Sequence, residues 1–477
     1  MNVFISQKDN FAQNFGIVLR SSAIFYYKYS SQVKTTISFM DYWRQKRGII
    51  VTVIATIRES TGKLIGREEL IFNQGTVINY SPRIDTLQEF EGSVEIEVFS
   101  TQNLVIPYAA IMAVYETPKG ISMVHSYSRT YSQHEIEERK TITQGEEACW
   151  TLRDTELVRS FCVFHNGGKT QSAQKAILRV IGPNNQIREA TIELGELQPY
   201  ATVKVYPSDH IQGLAEWLKG EYGNASISFK VEDAFTRLLI GNETVDGSDL
   251  QVTHSNFNYS IHKTDSIDSN DAMAYMHIPG CSVDEKETII YPESDPGEYK
   301  VTYMQIEREF KTGEPVVIPV KDGVMTFTKN GGYLPTRLVT GLICENPNGL
   351  LPAETSLGVI TKLRPPKRMW WCICASDEER KTSLIIHDIP EVYGRGPISL
   401  SIRLFSGKRQ GFIEKKYDNA LCIDFSNGVD ISEIFPQARE YLDNEFGYVT
   451  IFSEYGGLYC YTMIKNLQGS HTLEHGF

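Results

Sequence analysis

Several short motifs that mark catalytic and nucleotide-binding proteins do not occur in this sequence. Its eight cysteines include no Cys-x-x-Cys pair, which argues against a zinc knuckle and a thioredoxin-type redox site. A Gly-x-Ser-x-Gly elbow, a Walker loop and a Gly-x-Gly-x-x-Gly loop are also missing, as is the alternation of strands and helices that would surround them. The sequence therefore argues against nucleotide-dependent enzymes and against hydrolases built on a nucleophile elbow.

Long hydrophobic runs and an excess of positive charge are absent too. The longest apolar run, 103–115, contains Pro107 and is too short to span a bilayer, and the first twenty residues lack the features of a secretory signal. With 47 basic and 59 acidic residues, the net charge of −12 argues against binding to nucleic acid or to an anionic membrane. We expect a soluble cytoplasmic protein without membrane insertion, whose cysteines are reduced.

Helical periodicity is scarce, and only the segments 208–222 and 430–446 show it. A length of 477 residues predicts about three or four domains. With 41% hydrophobic and 22% charged residues, the chain has the composition of a globular protein rather than a disordered one. The dominant structure is therefore expected to be β.

One hairpin pattern occurs four times. Each copy has apolar residues at alternate positions, then a break rich in glycine or asparagine, then a returning strand. The copies begin at Val51, Lys175, Lys300 and Ile398. Their breaks fall at Thr61-Gly62, Gly182-Pro183-Asn184, Thr312-Gly313 and Ser406-Gly407.

A second unit follows three of these hairpins. An acidic residue and an aromatic residue precede a glycine, and a strand with period-two alternation follows it. The glycines are Gly92, Gly223 and Gly447, and further along the three copies reach His125, His254 and His471. The third copy keeps a strand led by Gly341 but has no histidine at its end.

These repeats predict an all-β chain of four related antiparallel β-sandwich domains with one or two short helices. Polar segments separate the copies, and an N-terminal segment, 1–20, precedes them. The predicted domains span 21–135, 148–265, 280–376 and 380–477, the third being divergent.

The histidines at strand ends suggest a metal site. His165 and His387 end the first apolar strands of their domains, and first and last strands are often neighbours in sandwiches. His165 would then approach His254, and His387 would approach His471. Two imidazoles with the carboxylate of Asp388 or Glu474 are adequate ligands for a divalent metal, the one cofactor the sequence suggests. The alternative interpretation is a set of hydrogen-bonded histidines that only fill strand ends.

Two other segments have a possible chemical role. The string "HTLEH", 471–475, matches a zinc-peptidase motif, but that chemistry requires a helix, so we interpret the match as accidental. A basic and aromatic patch combines Arg364 and Arg368 with Trp370 and Trp371. Guanidinium groups bind carboxylates and indole rings stack on sugars or cations, so this patch is a candidate ligand surface. The alternative is a solvated loop with one tryptophan buried.

No complete catalytic set is visible, so fold and repeats alone do not define the function. The leading hypothesis is a non-catalytic tandem sandwich that presents His125, His254 and the Trp370-Trp371 patch to a carbohydrate or protein partner. The second is a metal-dependent or acid-base enzyme that acts on a sugar or small acid through paired histidines. The third is a structural subunit that self-assembles as a homo-oligomer.

Overall fold

In a computed structural model, antiparallel β-sheet is the dominant structure of the described residues. The structure describes residues 18–72, 75–82, 89–102, 111–125, 129–130, 149–228, 234–235, 238–255, 266–268, 273–280, 286–291, 298–311, 315–330, 333–335, 339–361, 366–394, 398–418 and 425–477. The strands alternate between buried and exposed positions where one face meets solvent, as expected for half-buried sheets.

Each of the first two sandwiches contains eight main strands. The first comprises β1 (Leu19–Tyr29), β2 (Lys34–Met40), β3 (Thr52–Glu59), β4 (Leu64–Leu70), β5 (Val77–Tyr80), β6 (Phe90–Ser100), β7 (Met112–Glu116) and β8 (Ile121–His125). After β9 (Arg129–Thr130), the second comprises β10 (Cys149–Leu152), β11 (Val158–His165), β12 (Gln171–Ile181), β13 (Ile187–Leu197), β14 (Thr202–Val205), β15 (Gly223–Ser228), β17 (Leu239–Thr244) and β18 (Leu250–His254). The short β16 (Ala234–Phe235) pairs with β9.

The other two sandwiches repeat this order. After β19 (Ser266–Asp268), the third comprises β20 (Ala274–Ile278), β21 (Lys286–Tyr291), β22 (Glu298–Tyr303), β23 (Ile306–Lys311), β24 (Val316–Val320), β25 (Gly323–Asn330), β27 (Val339–Cys344) and β28 (Ala353–Leu357). It also contains β26 (Tyr333–Pro335) and β29 (Ile360–Thr361). The fourth comprises β30 (Met369–Cys374), β31 (Arg380–Asp388), β32 (Leu400–Phe405), β33 (Ile413–Tyr417), β34 (Val429–Asp430), β35 (Gly447–Phe452), β36 (Leu458–Asn466) and β37 (His471–His475).

All four copies share one topology, which confirms the predicted tandem all-β fold. Counted along each copy, one sheet has the order first, sixth, third, fourth, and the other has the order fifth, second, seventh, eighth. The first sandwich shows this as β1-β6-β3-β4 against β5-β2-β7-β8, and the fourth as β30-β35-β32-β33 against β34-β31-β36-β37. In the third copy, β29 extends the first sheet beyond β20.

The predicted hairpins are the third and fourth strands of each copy, with one shifted turn. The turns at Thr61-Gly62, Gly182-Pro183-Asn184 and Ser406-Gly407 lie between paired strands as expected. The third hairpin instead turns after Tyr303, which pairs with Ile306, and Met304 adopts a positive φ of 52° there. Thr312-Gly313 lies outside the described residues.

The strand led by Gly341 is also not the counterpart of those led by Gly92, Gly223 and Gly447. Gly341 lies inside β27, the seventh strand of its copy, whereas the sixth strand, β25, begins at Gly323. The divergent third copy therefore starts its sixth strand with glycine too, preceded by the acidic Asp322 but without the aromatic residue that precedes the glycine in the other copies.

Helices in the described part of the chain are short. They are Tyr42–Arg47, Leu214–Leu218, Pro390–Tyr393, Ile431–Ile434 and Ala438–Leu442, with 3₁₀ turns at Pro183–Asn185, Pro207–Asp209 and Pro347–Gly349. The segment predicted to be helical at 430–446 forms two helices because Pro436, which cannot donate a backbone hydrogen bond, lies between them. No helix in the described ranges is both long and apolar enough to cross a membrane.

The sandwiches pack on one another through residues of both their sheets. The Tyr42 ring of the first sandwich lies 4.9 Å from Trp371 of the fourth, and the Tyr26 ring lies 6.5 Å from Phe161 of the second. The hydrophobic core of the first sandwich is thereby continuous with residues of its two neighbours.

The eighth strands of the four copies meet at the centre of the molecule. Strand β8 lies against β18 and β37, and β28 lies against the same two strands. We call these four strands the central ring. Each of these strands is the edge strand of its sheet, so that one side of its backbone has no neighbouring strand within the sheet. Hydroxyl side chains of the adjacent copies bond backbone groups there: Val252 N donates to Ser122 Oγ at 2.7 Å, and Ser356 Oγ donates to the His254 carbonyl at 3.2 Å.

Candidate metal centre

Three histidines converge at one end of the central ring. They are His125 at the end of β8, His254 at the end of β18 and His475 at the end of β37, and we call them the histidine cluster. One ring nitrogen from each lies within 4.8 Å of the others. The His125 and His254 rings are 4.2 Å apart between centroids and meet edge to face, and the His125 and His475 rings are 5.0 Å apart.

The repeat itself places the three imidazoles. Each eighth strand follows a short turn and pairs with the seventh strand, so that His125 lies opposite Met112, His254 opposite Leu239 and His475 opposite Tyr461. Side chains two residues apart share a face of a strand. Val252, two residues before His254, packs in the core of the first sandwich, and Leu473, two residues before His475, packs in that of the third, so these histidines point outward from their own sandwiches. The central ring brings these outward faces together.

Oxygen atoms fix the orientation of the rings. His254 Nδ1 lies 2.9 Å from the carbonyl oxygen of Ser255, and His475 Nδ1 lies 3.2 Å from that of Gly476. A carbonyl oxygen only accepts, so in both rings Nδ1 carries the hydrogen and Nε2 carries the lone pair of the neutral form. Metal-binding histidines in proteins are commonly held in this way, with the ring nitrogen that is not the ligand donating to an oxygen.

Glu474 places a buried carboxylate beside the cluster. Its Oε2 lies 3.2 Å from His125 Nδ1, and its Oε1 lies 3.6 Å from His475 Nε2. The Glu474 side chain is only 6% exposed. A lone pair on His475 Nε2 and a carboxylate oxygen repel each other at this distance unless a proton or a cation lies between them. The donor set therefore favours positive charge at this position.

The dimensions fit a transition-metal ion. Zinc–imidazole bonds of about 2.0–2.1 Å place tetrahedral ligand nitrogens about 3.4 Å apart. From separations of at most 4.8 Å, each nitrogen of the cluster needs to move by about 1 Å or less to reach such positions. Imidazole is a good ligand for zinc, copper, iron and nickel. These residues could thus hold one divalent ion with three protein ligands.

The cluster is closed on one side and reachable on the other. His125 and His254 are buried, whereas the His475 side chain is 24% exposed. Phe477 covers part of the cluster, because its ring lies 4.8 Å from that of His125 and 5.0 Å from that of His475. Backbone hydrogen bonds in both directions between Phe477 and Trp371 hold this residue in place.

The third copy contributes a strand to the central ring but no histidine. Its eighth strand, β28, ends at Leu357, in agreement with the absence noted in the sequence. Thr355 Oγ1 donates to the carbonyl oxygen of Leu473, which joins β28 to β37. The cluster therefore has three imidazoles and a gap at the position of the third copy, as a consequence of one diverged repeat.

The predicted pair His387 and His471 is not formed. His471 starts β37 and pairs with Lys465, which pairs with Lys381, six residues along β31 from His387. At 3.3–3.4 Å per residue, the two histidines lie about 20 Å apart at opposite ends of the sheet. His387 instead lies near His277, with ring centroids 5.8 Å apart, and Asp388 lies at the same end of β31 as His387.

His165 and His254 lie on either side of β17. Val163 pairs with Leu239 and Leu239 with His254, so two strand spacings, about 10 Å, separate the strands of the two histidines. His165 Nδ1 lies 3.0 Å from Thr202 Oγ1. Burial lowers the pKa of His165 to about 3, and burial lowers that of His471 to about 4. Both residues are thus neutral, buried groups in their own sandwiches.

The basic and aromatic patch is not an exposed surface. Trp370 and Trp371 are 3% and 5% exposed, and the Trp371 ring packs on Tyr42. Arg368 is exposed, and its carbonyl oxygen accepts from Ser453 N. Arg364 lies outside the described residues. The two tryptophans are therefore packing residues of the fourth sandwich and do not form an open surface.

The sequence contained a signal for His475 that interval counting missed. The three strands end in the same pattern of an apolar residue, any residue and histidine: Met123-Val124-His125, Val252-Thr253-His254 and Leu473-Glu474-His475. Matching this pattern assigns the last histidine of "HTLEH" to the cluster. The string lies on a strand rather than a helix, so a peptidase-type arrangement is not formed.

A second acid in the central ring, the partly buried Glu354, has a different environment. Burial raises the pKa of Glu354, on β28, to about 7, although Thr151 Oγ1 donates to its carboxyl at 2.8 Å. Between pH 4.5 and 7, the folded state therefore keeps a proton that the unfolded state loses. The contribution of Glu354 to stability therefore falls as the pH rises through this range.

We expect Glu354→Gln to stabilise the protein more at pH 8 than at pH 4.5. The shift of the pKa from 4.5 to about 7 corresponds to about 3 kcal/mol at about 1.4 kcal/mol per pH unit. Urea unfolding of the wild type and the variant at both pH values measures the difference. Glu193→Gln, at an exposed carboxyl on β13, is the control. An equal effect of Glu354→Gln at the two pH values would contradict the assignment of a raised pKa.

Comparison of the sequence with protein-family models and with curated proteins finds no match.

Proposed function

We propose that the protein holds one divalent transition-metal ion in the histidine cluster and that this ion is its functional centre. The observation that supports the proposal is the approach of one ring nitrogen from each of three separate repeats to within 4.8 Å. The oxygen contacts of His254 and His475 Nδ1 and the position of the Glu474 carboxylate add to it. The proposal keeps the metal-dependent class and His254 from the sequence prediction but replaces the other predicted ligands with His125 and His475.

The ligand number favours a reactive rather than a structural ion. Structural zinc sites in proteins are closed by four protein ligands, whereas sites with three histidines keep one position for water or substrate. Such an ion lowers the pKa of bound water and polarises a bound carbonyl or carboxylate. The carboxylate of Glu474, next to two of the three imidazoles, is placed to accept a proton or to serve as a further ligand.

Two other hypotheses stay predictions. A carbohydrate or protein partner and self-assembly into a homo-oligomer follow from the tandem sandwich architecture alone. The expected cytoplasmic location also stays a prediction. The tightly packed tryptophans remove one of the surfaces on which the carbohydrate hypothesis depended.

The proposal predicts retention of metal. We expect the full chain, incubated with Zn²⁺ and desalted, to retain about one zinc ion by elemental analysis, and Co²⁺ loading to give the visible absorption of a tetrahedral or five-coordinate site. His254→Gln should reduce retention at least tenfold, because it removes a buried ligand. His210→Gln, at an exposed histidine remote in the chain, is the matched control and should retain the ion.

The competing explanation is a cluster in which a protonated imidazole is neutralised by Glu474 without any metal. It predicts that folded wild-type protein retains no Zn²⁺ or Co²⁺ after desalting. Circular dichroism of each variant separates loss of a ligand from loss of the fold. His475→Gln, at the partly exposed member of the cluster, provides a second variant with less disturbance of packing.

A further inference from the structure

A small cavity lies directly beside the histidine cluster. It has a volume of about 190 Å³, and His475 and Phe477 belong to its lining. Aromatic side chains form much of the remaining wall, with Trp370, Tyr393 and Tyr459 among them. The cavity thus reaches the one member of the cluster that is partly exposed, which is where the open position of a metal ion would be approached.

The volume limits the size of a ligand. A water molecule occupies about 30 Å³ in the liquid, so the cavity corresponds to about six waters or a ligand of about ten heavy atoms. Sites for drug-sized ligands usually measure about 300–1,000 Å³. An oligosaccharide or a nucleotide exceeds this volume, whereas a single sugar or a small acid, the two substrate classes expected from the sequence, is of a size that fits.

The charge of the lining points in the same direction. Lys367 contributes a cation, with its Nζ 5.7 Å from the centre of the Trp370 ring and 5.8 Å from that of Trp371. None of the described residues that line the cavity is acidic. A metal ion at His475 would add positive charge at the inner end. An anionic group is thus favoured both at the metal and at the lysine.

The walls select the rest of the molecule. Trp370, Tyr459 and Phe477 offer flat apolar surfaces, on which planar groups pack well. We infer that the cavity binds a small monocarboxylate with a flat apolar body, its carboxylate directed to the metal ion or to Lys367. The contact with the metal ion rests on the proposed function, whereas the contact with Lys367 rests on the cavity alone.

Benzoate and its neutral analogue benzamide are suitable probes. We expect benzoate to bind Co²⁺-loaded wild-type protein by calorimetry and to change its visible spectrum, and benzamide to bind at least tenfold more weakly. Lys367→Met should weaken benzoate binding about tenfold, whereas Lys34→Met, at an exposed lysine of the first sandwich, should not change it. Circular dichroism confirms that both variants are folded.

The outcomes distinguish the two proposals. If the protein retains Co²⁺ but benzoate neither binds nor changes the spectrum, the cavity assignment is overturned and the metal site stands. If no metal is retained but benzoate binds in a manner that requires Lys367, the cavity assignment is supported and the metal proposal is wrong. Equal affinity for benzoate and benzamide would overturn the inference that the site selects anions.

Discussion

Replacing Glu95 with alanine is expected to destabilise the first sandwich by about 3–5 kcal/mol, because buried charges lose their partner. The Glu95 side chain is fully buried on β6 and binds Arg20 at 2.6 Å and Arg58 at 2.7 Å. Both guanidinium groups are themselves mostly buried. Without Glu95, Arg58 would remain stacked on Tyr200 of the second sandwich with an uncompensated charge.

Urea unfolding followed by fluorescence measures this effect. Glu193→Ala is the matched control, since its carboxyl binds Lys175 at 2.7 Å on the corresponding sheet of the second sandwich but is 66% exposed. Exposed ion pairs contribute about 0–1 kcal/mol, so this variant should unfold almost as the wild type does. Equal shifts of the two unfolding midpoints would show that burial of the Glu95 ion pairs does not matter.

Glu95 also illustrates what sequence periodicity can and cannot predict. The alternation in "SVEIEVF" correctly places Val94, Ile96 and Val98 on the core face of a strand. The alternation also predicts that the opposite face of the strand is polar, and this is correct. It further suggests that this face is exposed to solvent, and this is wrong. Arginines from β1 and β3 and a tyrosine from the next sandwich cover that face. Alternation within one strand contains no information about a neighbouring domain.

The candidate site has the same limitation. The repeat predicted a histidine in each copy except the third, but it matched His471, at the start of β37, with His125 and His254 instead of His475 at its end. The assumption that first and last strands of one sandwich bring histidines together was wrong, because the eighth strands instead meet one another around the central ring. A site assembled from three copies depends on how whole domains pack. That packing is set by scattered contacts such as Tyr42 on Trp371.

The glycines at the start of the sixth strands were correctly matched across three copies, and the structure gives the reason for them. An alanine at Gly92 would place its methyl group against the carbonyl oxygen of Arg58, and one at Gly447 would meet the Leu442 side chain and, at 2.5 Å, the Phe405 carbonyl. At Gly223 the nearest atom would be Leu218 Cδ2, at 3.1 Å. The third strand or the preceding helix therefore approaches each glycine closely.

These distances predict a graded series of alanine variants. Gly92→Ala should lower the free energy of unfolding by about 3 kcal/mol or more, because a backbone oxygen cannot move aside without shifting β3 against β6. Gly223→Ala should have a smaller effect, since a flexible leucine can adjust.

Gly66→Ala is the control on the same sheet as Gly92. Its methyl group would contact Ile57 at 3.7 Å, an ordinary distance, so this variant should be as stable as the wild type or slightly more stable. Urea midpoints that decrease from the Gly66 variant through the Gly223 variant to the Gly92 variant would support close strand approach as the reason for the repeated glycine. Unchanged stability of Gly92→Ala would contradict it.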